Sequence, residues 1–352
     1  MDPNFFGPRL MQARKMAGYT MQQLADNLEN VVTKQALSKY ESGLMKPSST
    51  VLLSLCKVLK VEPDFFFLKD PPKFGTVSFR KKANTPQRLI DSVVERTRNY
   101  VERYGEAQSL IGDEHNFENP LKDVLVKTDE DVERLAAQLR SAWNLGVKSL
   151  ARVVELLEEH GVRVLLLDED DAIDGLFVYA DGSIPVVVVN KRGKSIERLR
   201  FTIIHELAHG LLQFSDDILS NEKRIEELCH FFSSCFLLPK EALIKELGSV
   251  PRTYLRIEEL LKIKSSYGIS LRAVVHRLRK VGLINDTYYN RWMIYLSKTY
   301  GGKAEPGSFI GEEVARKFEQ LLHRGLAEGV ISVSKAASLL GVAPDHFQRV
   351  TP

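Results

Sequence analysis

Cysteine is scarce in this chain: three residues in 352, at Cys56, Cys229 and Cys235. So few, so widely scattered, exclude a disulfide framework and fit a reducing compartment. No apolar run reaches the roughly 18–20 residues needed to span a bilayer. The opening stretch MDPNFFGPRLMQARK lacks the basic-then-apolar order of a secretory signal. These absences predict a cytoplasmic protein with no membrane partner. An excess of one charge sign is also missing: the formal net charge is +3. The molecule is not a polycation, so any nucleic-acid contact needs a local basic cluster. There is no internal repeat and no low-complexity tract.

What is present is ordinary globular composition, 44% hydrophobic and 27% charged. The length suits roughly two or three domains. The pattern predicts a mainly α protein with a small β-sheet. Residues 1–70 read as five short helices, at PRLMQARKMA, MQQLADNL, KQALSKYES, STVLLSLCKVL and PDFFF. Thr20 to Gln23 has the form of a capping box and Gly43 ends the third helix. KDPPK at Lys69 to Lys73 is a turn-rich break. Residues 71–126 read as a helical linker arm with a polar stretch from Asp113 to about Asp129. Residues 127–290 read as an α+β domain: two helices, the strands VRVLLL, GLFVYA and IPVVVVN, then more helices. Residues 291–352 read as a C-terminal helical extension after the break YGGKAEPG, with EEVARKFEQLLHRGLAEG its main helix.

The chemistry concentrates in HELAH, His205 to His209, inside the run RFTIIHELAHGLLQF. On a helix, residues four apart project about 40° from one another, so His205 and His209 share a face. Glu206 projects about 60° from His209, within the same wedge. Two imidazoles at that spacing can bind one ion, and the carboxylate between them can act as a general base. Phe201, Ile203, Ile204, Leu207, Ala208, Leu211, Leu212 and Phe214 surround the trio. A buried ionisable cluster is costly without a counter-charge, so a cation is the economical reading.

A hydrolytic site needs a third protein ligand and a position left to water. The extended motif that adds a glycine and a third histidine is excluded, because Leu212 and Ser215 stand at those positions. The following helix, EKRIEELCHFFSSCFLLP, offers Glu226, Glu227, Cys229 and His230. Glu227 lies opposite the apolar stripe and should face water, and Cys229 lies within it as a small hydrophobe. Glu226 sits on the border. His230, one turn later, is a rival ligand, a donor that orients a ligand, or an oxyanion stabiliser.

FTIIHELAHGLL followed by IEELCHFFSSCFLLP resembles the ImmA/IrrE family of zinc metallopeptidases. The upstream WNLG, EEHGV and GLFVYADGSIPVVVVN segments extend the likeness over about residues 127–290. The resemblance implies a zincin-like fold of gluzincin type with Zn2+ (or Mn2+) on His205, His209 and Glu226, and Glu206 as general base. It also implies an endopeptidase that cuts a repressor or antitoxin protein.

The N-terminal segment LMQARKMAGYTMQQLADNLENVVTKQALSKYESGLMKPSS is similar to XRE, or lambda-repressor-like, helix-turn-helix domains. Its ENVV turn is about two residues longer than usual. The resemblance implies that the third helix enters the major groove of an operator. Gln22, Thr33, Lys34, Gln35, Ser38 and Lys39 are the candidate DNA contacts. Residues 1–60 hold eight basic against four acidic side chains, a local excess of +4. Two-fold operators make a homodimer an expectation. Met16, Leu24, Leu37, Leu52 and Leu53 are expected in the core of this head. His276 and Arg277 are weaker candidates for the lining of a substrate cleft.

Together these readings predict a DNA-binding regulator with zinc-dependent endopeptidase activity. The alternative is a transcriptional regulator whose zinc domain is a sensor or structural module without proteolysis. A third reading is an antitoxin or immunity protein that acts by binding alone.

Overall fold

The computed structural model describes residues 5–29, 31–68, 71–75, 78–80, 85–113, 117–169, 173–301 and 304–348. Asn30 of the ENVV turn, Lys69 and Asp70 of KDPPK, Glu114 to Asn116 of the polar stretch, and Gly302 and Lys303 of YGGKAEPG lie outside these.

Four helices build the head: α1 (Phe6–Met16), α2 (Met21–Asn27), α3 (Lys34–Glu41) and α4 (Ser49–Leu59). The fifth expected helix, PDFFF, is a 3-10 turn over Pro63–Phe67. The capping box forms, with Thr20 and Gln23 each satisfying the other's backbone N–H. Thr33 and Ser48 cap α3 and α4 in the same way from one side. Leu10, Leu24, Leu37, Leu55 and Phe66 close the core, with Met16 and Leu52 packed at its margin. Leu53 departs from expectation, at 61% exposed. It projects about 200° round the helix from Leu55, so the stripe that buries Leu55 and Leu59 turns it outward.

The expected arm is one helix, α5 (Gln87–Ile111), and it is packed rather than solvated. On one side it grips α1: Arg9 donates to both carboxylate oxygens of Glu102 at 2.5 and 2.8 Å. The Ser92 hydroxyl donates to the Met16 carbonyl at 2.8 Å. On another side it covers a four-stranded sheet.

That sheet has the order β1-β4-β5-β3, from β1 (Ser78–Arg80), β3 (Arg163–Leu167), β4 (Gly175–Ala180) and β5 (Ile184–Asn190). β4 and β5 are an antiparallel hairpin, and β3 runs parallel to β5. A second, parallel pair joins β2 (Leu125–Val126) to β6 (Gln213–Phe214). β1 and the short β2 and β6 were not expected from sequence. The run Val186 to Val189 is buried on both faces. Val187 and Val189 join one core with Val164 and Phe177, while Val186 and Val188 join another with Leu176 and Val178. Continuous valine is the signature of a strand covered on both sides.

The first face carries α6 (Asp129–Ala142), α7 (Val153–Glu159), α8 (Ile196–Leu211), the short α9 (Asp216–Leu219) and α10 (Glu222–Leu237). Then follow α11 (Lys240–Leu247), α12 (Ile257–Tyr267), α13 (Leu271–Lys280) and α14 (Asp286–Tyr300). The expected boundary at residue 290 therefore falls inside α14. The second face carries α5 with α15 (Lys317–Ala327) and α16 (Val333–Leu340), followed by α17 (Asp345–Gln348). The arm, the sheet and the C-terminal extension thus share one core.

The helix expected from Glu312 begins only at Lys317. Glu313 is engaged elsewhere: it accepts the first backbone N–H groups of α7, from Val153 and Val154, at 2.9 and 2.8 Å. It also pairs with Arg200 of α8 at 2.6 Å. Among the described residues no helix is long and apolar enough to cross a membrane.

Candidate metal centre

α8 starts on a Ser195 cap and runs behind β4 and β5, which presses its C-terminal half into the core. The flanking apolar residues dictate that burial: Ile203, Ile204, Leu207, Ala208 and Leu211 are all inaccessible. His205 and Glu206 go in with them, both fully buried. α10 crosses α8 with the expected stripe of Leu228, Cys229, Phe232 and Phe236 turned inward. Glu226 stands at the border of that stripe, half-exposed, and Glu227 faces water.

Three side chains from the two helices, two imidazoles and one carboxylate, converge on one point. His205 Nε2 lies 3.1 Å from His209 Nε2. Glu226 Oε2 is 3.3 Å from the first ring and Oε1 is 3.0 Å from the second. A tetrahedral ion with bonds of about 2.0–2.1 Å holds its ligand atoms about 3.3 Å apart. Two imidazoles and one carboxylate at these separations therefore suit such an ion in spacing and in donor type. His230 is also at hand: a ring nitrogen of it, one of His205 and a Glu226 oxygen all fall within 4.8 Å of one another. Its ring lies 4.3 Å from that of His205 and 5.9 Å from Phe201. Hydrogen bonds to His205 and His209 hold the Glu226 carboxyl well below the usual range, against the opposing effect of burial.

Glu206 lies against the start of β4. A Cβ placed on Gly175 would come within 2.7 Å of the Glu206 carboxylate carbon and Oε1. Glycine there makes room for the acid. Gly210 plays a similar part, since a Cβ on it would collide with the Phe177 ring at about 2.0 Å.

Several supports of the site are not visible in the sequence. Cys229 does more than fill space: its sulfur is 3.6 Å from His209 Nδ1, the far side of that ring. Burial pushes its thiol well up, with the Glu226 and Glu206 charges acting the same way, so the neutral thiol sits there. Three arginines brace the helices from within. Arg140 donates to the Phe236, Gly146 and Lys148 carbonyls at 2.6–2.7 Å. Arg200 donates to the Leu150 and Gly268 carbonyls besides Glu313. Arg277, proposed above for a cleft, is instead fully buried and grips Glu133 bidentately at 2.6 and 2.7 Å. The only hint in the sequence is an arginine spaced to fall among apolar helix positions.

His276 does reach a cleft. A cavity of about 390 Å³ beside His230 is bounded by Phe201, Phe231, Ala273, His276 and Lys280. Asp129, Arg224 and Glu227 are also on its wall, and Arg224 and Lys280 both pair with Asp129.

The six candidate DNA contacts lie apart from this centre, on the head. Gln22, Thr33, Lys34, Gln35, Ser38 and Lys39 are all exposed. The Thr33 hydroxyl caps α3, and the Gln22 amide donates to Asp26 at 2.8 Å. Lys34, Gln35 and Lys39 project from α3 into solvent.

The Helix-turn-helix family model matches residues 10–66, and the Peptidase_M78 model, the IrrE N-terminal-like domain, matches residues 157–279. The chain belongs to the helix-turn-helix family and carries an IrrE N-terminal-like domain. The second match runs from α7 to α13, inside the 127–290 span expected from sequence. Among curated proteins the chain is similar to the SPbeta prophage-derived uncharacterized HTH-type transcriptional regulator YonR of Bacillus subtilis. That match is 34% identical over 85 residues, 24% of this chain and 74% of that one. It is also similar to the radiation response metalloprotease IrrE of Deinococcus radiodurans, 31% identical over 99 residues. There the match covers 25% of this chain and 29% of that protein. The helix-turn-helix head and the IrrE-like domain are thus joined in one chain, with α5 packed between them.

Proposed function

We propose that this chain is a DNA-binding regulator whose IrrE-like domain is a zinc-dependent endopeptidase, and that it cleaves a partner repressor or antitoxin. The observation that carries the reading is the triangle of His205, His209 and Glu226 with Glu206 alongside. The match to a peptidase family supports it. His205, His209 and Glu226 would hold the ion, with manganese as an alternative to zinc. Bound there, it supplies a Lewis acid that polarises a peptide carbonyl and makes water a stronger nucleophile.

Glu206 takes a proton from the attacking water and returns it to the leaving amine. Its fully buried setting keeps that carboxylate away from bulk solvent. His230, beside His205 on the cleft wall, donates to the carbonyl oxygen as negative charge develops there. The peptide lies along the cavity bounded by Phe201 and His276. On the head, α3 enters the major groove, Gln35 reads base edges, and Lys34 and Lys39 contact phosphate. A homodimer would match a two-fold operator.

Purified protein with zinc, incubated with candidate repressor proteins encoded nearby, tests the reading beside a Glu206→Gln control. The expected result is cleavage by wild type and loss of at least 100-fold in the variant. Equal cleavage by both would remove Glu206 from the chemistry. Zinc bound with no cleavage of any repressor would favour the sensor reading, because an open coordination position is compatible with binding alone.

A further inference from the structure

A second cleft is larger than the one beside His230. It measures about 690 Å³ and lies between the segment leading into α12 and the outer face of α14. It shares no lining residue with the cleft at the metal centre. Its walls are aromatic: Tyr254, Tyr288, Trp292 and Tyr295. Tyr254 is 68% exposed and Tyr295 43%, although the hydrophobic effect disfavours leaving such rings in water.

Two polar features face the cleft with capacity to spare. Trp292 is only 8% exposed, and its indole N–H has no hydrogen-bond partner among the described residues. A buried donor left unmade costs about 1–3 kcal/mol. Arg256 and Arg291 also line the cleft; both are exposed, and the Arg256 charge acts on Glu259 without a close ion pair among the described residues. The one acid on the wall is Glu258. Most other arginines of this body are paired, Arg252 with Glu259 and Arg279 with Asp286 for example. The volume is that of a site for a small organic molecule, and the make-up is typical too: aromatic walls with a few convergent donors.

We infer that this cleft binds a small organic anion with a flat ring. The ring would stack on Tyr254 and Tyr295, the indole N–H of Trp292 would give a hydrogen bond to an acceptor on it, and Arg256 and Arg291 would hold its carboxylate or phosphate. Every donor in the cleft then meets an acceptor, and the arginines bind an oxyanion bidentately. The same chemistry is offered by an aromatic carboxylate and by a nucleoside monophosphate. The site stands independently of the peptidase reading. α14 packs on α13, which carries His276 into the cleft at the metal centre, so a ligand here would touch a helix next to that cleft.

Trp292 is one of two tryptophans in the chain, so binding is readable by intrinsic fluorescence of the full-length protein. The titrants are adenosine monophosphate, indole-3-carboxylate, uncharged adenosine, and a short acidic peptide without aromatic residues. Calorimetry serves as the second readout for Trp292→Phe. The expected result is saturable quenching by at least one of the two flat anions, weakened by salt and absent with adenosine. The Arg256→Gln, Arg291→Gln double variant should lose tenfold or more in affinity. Both positions are exposed, so folding should survive, as circular dichroism would show. Trp292→Phe, which keeps a ring and removes the donor, should lose severalfold. The relative strength of the two anions tells carboxylate from phosphate. Absence of saturable binding by either anion, equal affinity in the double variant, or binding of the acidic peptide alone would each overturn the assignment.

Discussion

At the scale of single residues, Gly175 is the sharpest test of how the acid is housed. An alanine there would press its methyl within 2.7 Å of Glu206. Gly175→Ala should therefore displace Glu206 and cost about 1–3 kcal/mol as an overpacking change. Metal content should be unchanged, because the atoms nearest the added methyl belong to Glu206 rather than to a proposed ligand. Elemental analysis beside a denaturation curve checks both halves. Glu158 provides a pH test away from the metal. Burial pushes its carboxyl from 4.5 up to about 7, while the N–H groups of Lys317 and Arg316 pull the other way. The folded state thus holds this proton more tightly than the unfolded chain. The stability so gained is complete below pH 4.5 and is lost as pH rises towards about 7. Relative to Glu158→Gln, wild type should weaken across that window by at most about 3 kcal/mol and stay level above it. Urea melts of both proteins from pH 5 to 8 would show it, and parallel curves would contradict it. Two of the three proposed ligands, His205 and His209, stand out as candidates in the sequence because HELAH states its own spacing. The room for Glu206 does not, since the need for glycine at 175 arises only when β4 meets α8.

At the scale of elements, three of the six strands and most helices were legible, and what they pack against was not. The valine run of β5 was readable as a strand, but which alternate residues face which layer needs the partner layers themselves. The arm was readable as a helix from its pattern, yet nothing local says that it covers a sheet. Ionic ties across long separations were equally hidden, such as Glu313 with Arg200, 113 residues apart. Both side chains of that pair are fully buried. Removing one partner strands the other charge, so Glu313→Gln should cost about 3–5 kcal/mol. Thermal melting checks it, and a loss below 1 kcal/mol would mean that water reaches Arg200. For α3, Gln35→Ala should relax sequence preference, whereas Lys34→Ala and Lys39→Ala should weaken binding evenly and flatten its salt dependence. Operator titrations at several salt concentrations separate the two classes. Binding indifferent to salt would count against the head as a DNA reader.

At the scale of the whole molecule, the head grips α5 through Arg9 and Glu102, α5 covers the sheet, and the sheet backs the helix that carries the histidines. The three parts expected from sequence as arm, peptidase and extension are held by shared burial, so the IrrE-like match marks only the middle of a larger unit. An ion gripped by both α8 and α10 would tie that unit further. With free metal at 1,000 times its dissociation constant, linkage adds about 4 kcal/mol to stability. A chelator should then lower the melting temperature of wild type by several degrees, and should leave a variant lacking the ligands unmoved. The most direct test is metal content after purification, for wild type, His205→Ala and Glu226→Ala side by side. One equivalent of divalent metal in wild type and little in either variant is the predicted result. Metal-free wild type that melts identically with and without chelator would contradict it.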